Sequence, residues 1–282
     1  MSRAGALTGA TFLDPVVLAR ISNLELIART VVEGFLNGLH HAPYLGMSMD
    51  FAEHRSYQPG DDIRRIDWRL YARTDRYFVK QFEADTNSNL VVLLDVSRSM
   101  DYGSGGISKF EYARYLTACL CYFCQKQRDR IGMITFDRDV VDHVPPSAKH
   151  LEEILYTLER AKPGKPGSLF EPIRRVSEHF RRRSIIALIS DFYEEPDRVM
   201  DALKYLGQRG NDVIVFHIMD PAELDFPFKD AVEFEDAESG ERLPVIPEQA
   251  RAQYRELIQA HVNTLTKKMT DQRIDYALLN TA

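Results

Sequence analysis

Leu90 to Leu94 is an uninterrupted apolar run that stops at an acid, Asp95. Side chains alternate between the two faces of a sheet, so a strand can carry such a run only where both faces are covered. That requirement selects a mostly parallel sheet with helices on both sides, an α/β fold. A second run of the same form, Ile185 to Ile189, ends in Ser190 and Asp191. In open α/β sheets ligands bind in the crevice above the carboxyl ends of the strands, which is where both acids are expected.

The stretch between and beyond these runs alternates in period. A helix is predicted over 109–128, a strand over 131–136, an edge strand over 140–144 and a helix over 151–160. After a Gly/Pro-rich loop at Lys162 to Pro172 come a helix over 170–182, the strand 185–189, a helix over 196–208 and a strand over 212–219. A hairpin over 231–243 is expected to turn at Ser239-Gly240, followed by a long helix over 247–270 and a last strand over 274–278. Upstream, residues 1–45 read as an extension with a helix near 24–39. Residues 46–86 read as a small β-rich subdomain of short segments such as 77–82, and 87–282 as the main domain.

Of the 282 residues, 44% are apolar and 28% charged, which is enough to build one substantial core with an appended subdomain. The formal net charge of −6 argues against a general nucleic-acid binder, which usually carries a basic domain or stripe. Arg174, Arg175 and Arg181 to Arg183 read instead as a solvated helix end. No run approaches the roughly 18 to 20 apolar residues that cross a bilayer, and the first residues lack a signal-peptide core. The expected location is therefore the cytoplasm. Cys119, Cys121 and Cys124 fall in an apolar helix, where about 100° per residue spreads them around the axis, so they read as reduced, partly buried thiols.

The candidate site follows from the residues after Asp95. Ser97 and Ser99 add two hydroxyls to its carboxylate, a set of hard oxygen donors suited to Mg²⁺, Mn²⁺ or Ca²⁺. These cannot fill an octahedral shell alone. Asp191 and Ser168, at the end of the Gly/Pro-rich loop, are the further candidates.

The order Asp-x-Ser-x-Ser, Gly-Ser in a loop, then Ser-Asp after a strand resembles the von Willebrand factor A domain and its metal-ion-dependent adhesion site. The resemblance implies a von Willebrand factor A-like, Rossmann-like fold. By its pattern Ser97, Ser99 and Ser168 contact the ion, Asp95 and Asp191 stand close by, partly through waters, and an open position accepts an acidic group from a partner. The family usually has Thr where Ser168 stands, a change that keeps the hydroxyl. A second resemblance lies in Tyr57 to Val79, YQPGDDIRRIDWRLYARTDRYFV. Its Pro-Gly-Asp-Asp-x-Arg-x-x-Asp-Trp and Ala-Arg-Thr blocks, just before the apolar strand, resemble the prokaryotic family known as domain of unknown function 58. Relatives are commonly encoded beside MoxR-type AAA+ ATPases, which implies such an ATPase as a partner.

Two uses of the charged block at Tyr57 to Arg76 stay open. Its alternating Asp and Arg residues suit an interdomain seam with Trp68 buried in it, and Arg64 and Arg65 are also candidates for partner binding. For the strand-end site the leading expectation is a non-enzymatic adaptor that captures an acidic residue of a protein partner through a divalent metal. The alternative is a Mg²⁺-dependent phosphoester hydrolase using Asp95 and Asp191. Gly103 to Lys109 does not match a phosphate-binding P-loop, and neither a nucleophile elbow nor a general base is evident.

Overall fold

A computed structural model describes residues 23–40, 54–56, 76–80, 89–178, 183–207, 210–230, 232–236 and 240–282. The chain divides into one compact unit of Met1–Leu36 with Ser88–Ala282 and a second of Asn37–Asn87. In the second unit, β1 (His54–Ser56) and β2 (Phe78–Lys80) pair antiparallel, with Arg55 opposite Val79. Trp68, Arg64 and Arg65 lie outside the described residues.

The main unit opens with α1 (Leu24–His40), where a helix near 24–39 was expected. Next come β3 (Asn89–Asp95), α2 (Lys109–Lys126), β4 (Arg130–Phe136), β5 (Val140–Ser147), α3 (Leu151–Arg160) and α4 (Phe170–Ser177). Then follow β6 (Ile185–Ser190), α5 (Pro196–Gly207), β7 (Asp212–Met219), the short α6 (Pro221–Asp225), β8 (Val232–Glu235), β9 (Arg242–Val245), α7 (Pro247–Asp271) and β10 (Asp275–Asn280). Helix α4 spans Phe170–Ser177 with Glu178 as its cap, and residues 179–182 of the expected helix lie outside the described residues.

The central sheet has six strands in the order β10-β7-β6-β3-β4-β5, all parallel except β5. This is the mostly parallel α/β sheet with helices on both faces expected from the sequence. All seven residues of β3 are buried, because it is central and covered on both faces. Leu90, Val92 and Leu94 pack with α1, α2 and α3 on one side, while Val91 and Leu93 pack with α4, α5 and α7 on the other. Alternation along one strand thus feeds two separate cores. Helix α1 joins the first core through Leu24, Ile27, Ala28, Val31 and Val32, at helical spacing.

Local chemistry explains the helix ends nearest the sheet edge. Ser108 caps α2 by accepting the Glu111 N–H (3.2 Å). Asp220 and Glu223 close a reciprocal capping box at α6, with Pro221 in its first turn. The hairpin turn at Gly240 needs a left-handed residue (φ +75°), which glycine supplies without a Cβ penalty. Exposed ion pairs surround the arginines read as a solvated helix end: Arg174 with Glu171 and Glu178, Arg175 with Asp139, and Arg183 with Asp212.

Candidate functional site at the strand ends

Strand β3 runs to β4 on one side and, after a crossover, has β6 on the other, so the chain reverses its direction of travel across the sheet at β3. Such a switch point opens a crevice between adjacent strand ends. Leu94 sits opposite Thr135 of β4 and Ile189 of β6. This register brings the loop after Asp95 beside Ser190, the last residue of β6, and the loop that begins with Asp191.

The Asp95 side chain is buried and fully engaged. Its Oδ1 accepts the Ser97 N–H (2.8 Å), and its Oδ2 accepts the Ser190 hydroxyl (2.6 Å). The first bond tightens the loop into a single turn of 3₁₀ helix at Arg98–Asp101, and the second ties the two strand ends together. Within that turn the Ser97 and Ser99 Oγ atoms lie 3.1 Å apart. Two ligands about 2.1 Å from Mg²⁺ at right angles would be about 3.0 Å apart, so the hydroxyl spacing fits adjacent positions of an octahedral shell.

The Gly/Pro-rich loop closes on this turn from the β4 side. Arg98 N–H donates to Lys165 O (2.8 Å), and Ser97 and Lys165 form an isolated parallel bridge. A Cβ on Gly167 would collide with the Ser97 side chain, so only glycine permits the approach. The next residue is Ser168, whose N–H donates to Asp137 O (3.2 Å). Leu169 N–H then donates to Glu194 Oε1 (2.6 Å), which joins this loop to the one after β6. Three loops carrying Asp95, Ser97, Ser99, Ser168 and Asp191 therefore meet at one sheet edge. Among the described residues no three His, Cys, Asp or Glu side chains form a metal-binding group. The donors at this edge are hydroxyls with carboxylates behind them, a hard-cation set.

Asp191 has a partner that sequence reasoning missed. The ammonium of Lys109, wholly buried, donates to Asp191 Oδ2 (2.8 Å) and Glu223 Oε1 (2.7 Å) and lies 4.8 Å from the Tyr193 ring centre. Lys109 is the first residue of α2, where the helix dipole disfavours a cation. That misplacement is the signal that could have singled it out. Phe192, the residue after Asp191, is forced into a left-handed conformation (φ 48°). Its carbonyl accepts the Nε2–H of His261 (2.9 Å) and its buried ring packs edge-on to His217, contacts that offset the strain. Asp220, fully buried, anchors the Gly-rich segment by accepting both the backbone N–H (2.8 Å) and the hydroxyl of Ser104.

Charge is unevenly balanced here. Asp191 and Glu223 share the single ammonium of Lys109, while Asp95 accepts from neutral donors, the Ser97 N–H and the Ser190 hydroxyl. Burial first, and then the charge of Asp191, pushes the Asp95 carboxyl up to about 7. Burial acts to lower the Lys109 ammonium, but the charges of Asp191 and Glu223 outweigh it and hold the group above the ordinary lysine range. Burial depresses His217 to about 4, so this ring is neutral near pH 7. The three thiols are free, and burial raises Cys119 and Cys124 to about 12, as inert structural cysteines require.

The family model described as "Protein of unknown function DUF58" matches residues 53–264, three quarters of the chain. The chain belongs to the DUF58 family. Curated relatives described as uncharacterized proteins, from Mycobacterium bovis and Mycobacterium tuberculosis, are 31% identical over 232 residues, covering 80% of this chain and 73% of theirs. Among solved structures, BatB from Bacteroides thetaiotaomicron is similar at 19% identity and TM-score 0.48, over 69% of this chain and 91% of that one. An aerotolerance-related membrane protein from Bacteroides fragilis is also similar at 19% identity and TM-score 0.44, over 64% and 99%. The SpRpn10 VWA domain is similar at 12% identity and TM-score 0.40, over 69% and 89%. Among the described residues of this DUF58 chain, no helix is long and apolar enough to cross a membrane.

Proposed function

We propose that this DUF58 protein is a non-enzymatic interaction module that holds a divalent cation, Mg²⁺ or a similar hard ion, at the strand-end loops and uses it to bind an acidic residue of a protein partner. The observation that carries the reading is the excess of buried carboxylate beside two hydroxyls 3.1 Å apart. The charge of Asp191 disfavours the ionised form of Asp95, and a cation in the crevice relieves that cost. Ser97, Ser99 and Ser168 are the residues proposed to hold the ion. Asp95 orients the Ser97 turn, and Asp191 stands behind the site, held by Lys109. When bound, the ion supplies a positive charge with room for one more oxygen ligand, which a partner carboxylate can fill. A DUF58 protein of this kind would act in the cytoplasm with a MoxR-type AAA+ ATPase, linking it to client proteins during their maturation or remodelling.

The test is calorimetric titration of Mn²⁺ into the wild type, Asp95→Ala and Ser97→Ala, with circular dichroism to confirm folding. Saturable heat in the wild type that disappears in both folded variants is expected. Equal heats in all three would overturn the metal reading.

A further inference from the structure

Beside the strand-end loops lies a cavity of about 750 Å³ with an aromatic wall. We infer that this cavity is the second half of the partner site: it takes a bulky aromatic or branched aliphatic side chain of the same partner segment that presents the acidic residue to the metal loop. The inference rests on the metal reading for the placement of the carboxylate and adds the chemistry of its neighbour.

Placement is the first argument. Ser99 and Tyr102 belong to the loop that follows Asp95 and also line the cavity, so a chain seated on that loop has its flanking residues against the cavity mouth. A volume of this size lies within the range of about 300 to 1,000 Å³ typical of ligand sites. Rigidity is the second. Phe226 stacks on Phe234 (5.4 Å between centroids) and lies 4.6 Å from Tyr254, while Phe228 meets Phe234 edge-on at 5.1 Å. The backbone beneath is clamped from α7: Arg251 donates to the carbonyls of Phe226 (3.1 Å) and Phe228 (2.5 Å), and Arg255 donates to that of Asp225 (2.7 Å). A preformed wall costs a ligand little ordering.

Charge matching is the third. Lys109 at the base is paired with Asp191 and Glu223, and Glu235 at the rim is paired with Arg98 (3.3 Å) and Arg242 (3.1 Å). Each of these side chains has an ion-pair partner within the protein and the wall is aromatic, so the cavity suits an apolar occupant while the adjacent loop asks for an anionic one. The rim adds Leu243 and Leu257, each more than 60% exposed and available to cover an inserted side chain. Buried aromatic anchors with a polar surround are the usual form of a binding hot spot.

The experiment selects a phage-displayed library of random peptides on the full chain in Mg²⁺. Winners are then measured by fluorescence polarisation on the wild type, Leu257→Ser, Leu243→Ser and Ser97→Ala. Both leucines are exposed, so their replacement leaves the core intact. The expected winners pair Asp or Glu with a nearby Phe, Trp or Leu. Their affinity falls by about tenfold or more in Leu257→Ser, and binding is lost in Ser97→Ala or with chelator. Winners that carry an acid with no apolar companion and bind the leucine variants like the wild type would overturn the cavity assignment and leave the metal reading standing. Apolar winners that bind equally in chelator and to Ser97→Ala, but not to Leu257→Ser, would support the cavity and remove the metal reading. No winners, with Leu257-dependent sedimentation on phosphatidylglycerol vesicles, would overturn the assignment in favour of a lipid surface.

Discussion

At the residue scale, Lys109 is the most consequential side chain outside the motif. Two charge-assisted bonds in a fully buried setting make it a tether between the loop after β6 and helix α6. Removing one partner of a buried ion pair leaves uncompensated charge, which costs about 3–5 kcal/mol. Lys109→Met is accordingly expected to lower the unfolding free energy by about that amount in urea denaturation. Combining it with Glu223→Gln should recover part of the loss, because one fewer buried carboxylate is then left without its cation. A Lys109→Met protein as stable as the wild type would show that the ammonium does not hold these loops.

At the element scale, α1 sits far upstream of the sheet in sequence, yet it contributes five buried side chains to the core around α2 and α3. Its Glu33 also accepts from the Tyr122 hydroxyl of α2 (3.5 Å). Ile27 is 1% exposed, so Ile27→Ala removes packed atoms and leaves a cavity at a cost of about 2–4 kcal/mol. The expected result is a parallel drop in the denaturation midpoint with an unchanged slope, measured by far-UV circular dichroism. An effect within about 0.5 kcal/mol, as for surface substitutions, would mean that the helix does not contribute to the cooperative unit.

At the scale of the whole molecule, the Asp95 carboxyl makes metal-free stability depend on pH. Its native value of about 7 exceeds the ordinary 3.8, so between these limits the native state holds more proton than the unfolded chain. Its contribution is complete below about pH 4 and is lost as the pH rises through 7, by at most about 4 kcal/mol. His217 works in the opposite direction: depressed to about 4, it favours the native state increasingly as the pH climbs from 4 to 6.5. The difference between wild type and Asp95→Asn isolates the first effect. In chelator the wild type should lose stability relative to the variant as the pH goes from 4 to 7.5. A flat difference would mean that Asp95 keeps an ordinary carboxylate environment.

Much of the architecture was legible in local pattern. The doubly covered strand at Leu90–Leu94 and the alternation of helical and extended periods prescribe a mostly parallel sheet, because each period matches only one way of burying its side chains. The positions of Asp95 and Asp191 at strand ends follow from the same runs, and so does the hydroxyl pair after Asp95. What the sequence could not supply was partnership across distance. Lys109 stands 82 residues from Asp191 and 114 from Glu223. The Ser97–Gly167 approach and the aromatic wall from Phe226 to Tyr254 likewise depend on how loops from separate crossovers settle against one another. Periodicity reports which face of an element is buried, but not which element will cover it. That choice belongs to the tertiary structure, which alone decided that a buried lysine and an apolar cavity would stand beside the strand-end acids.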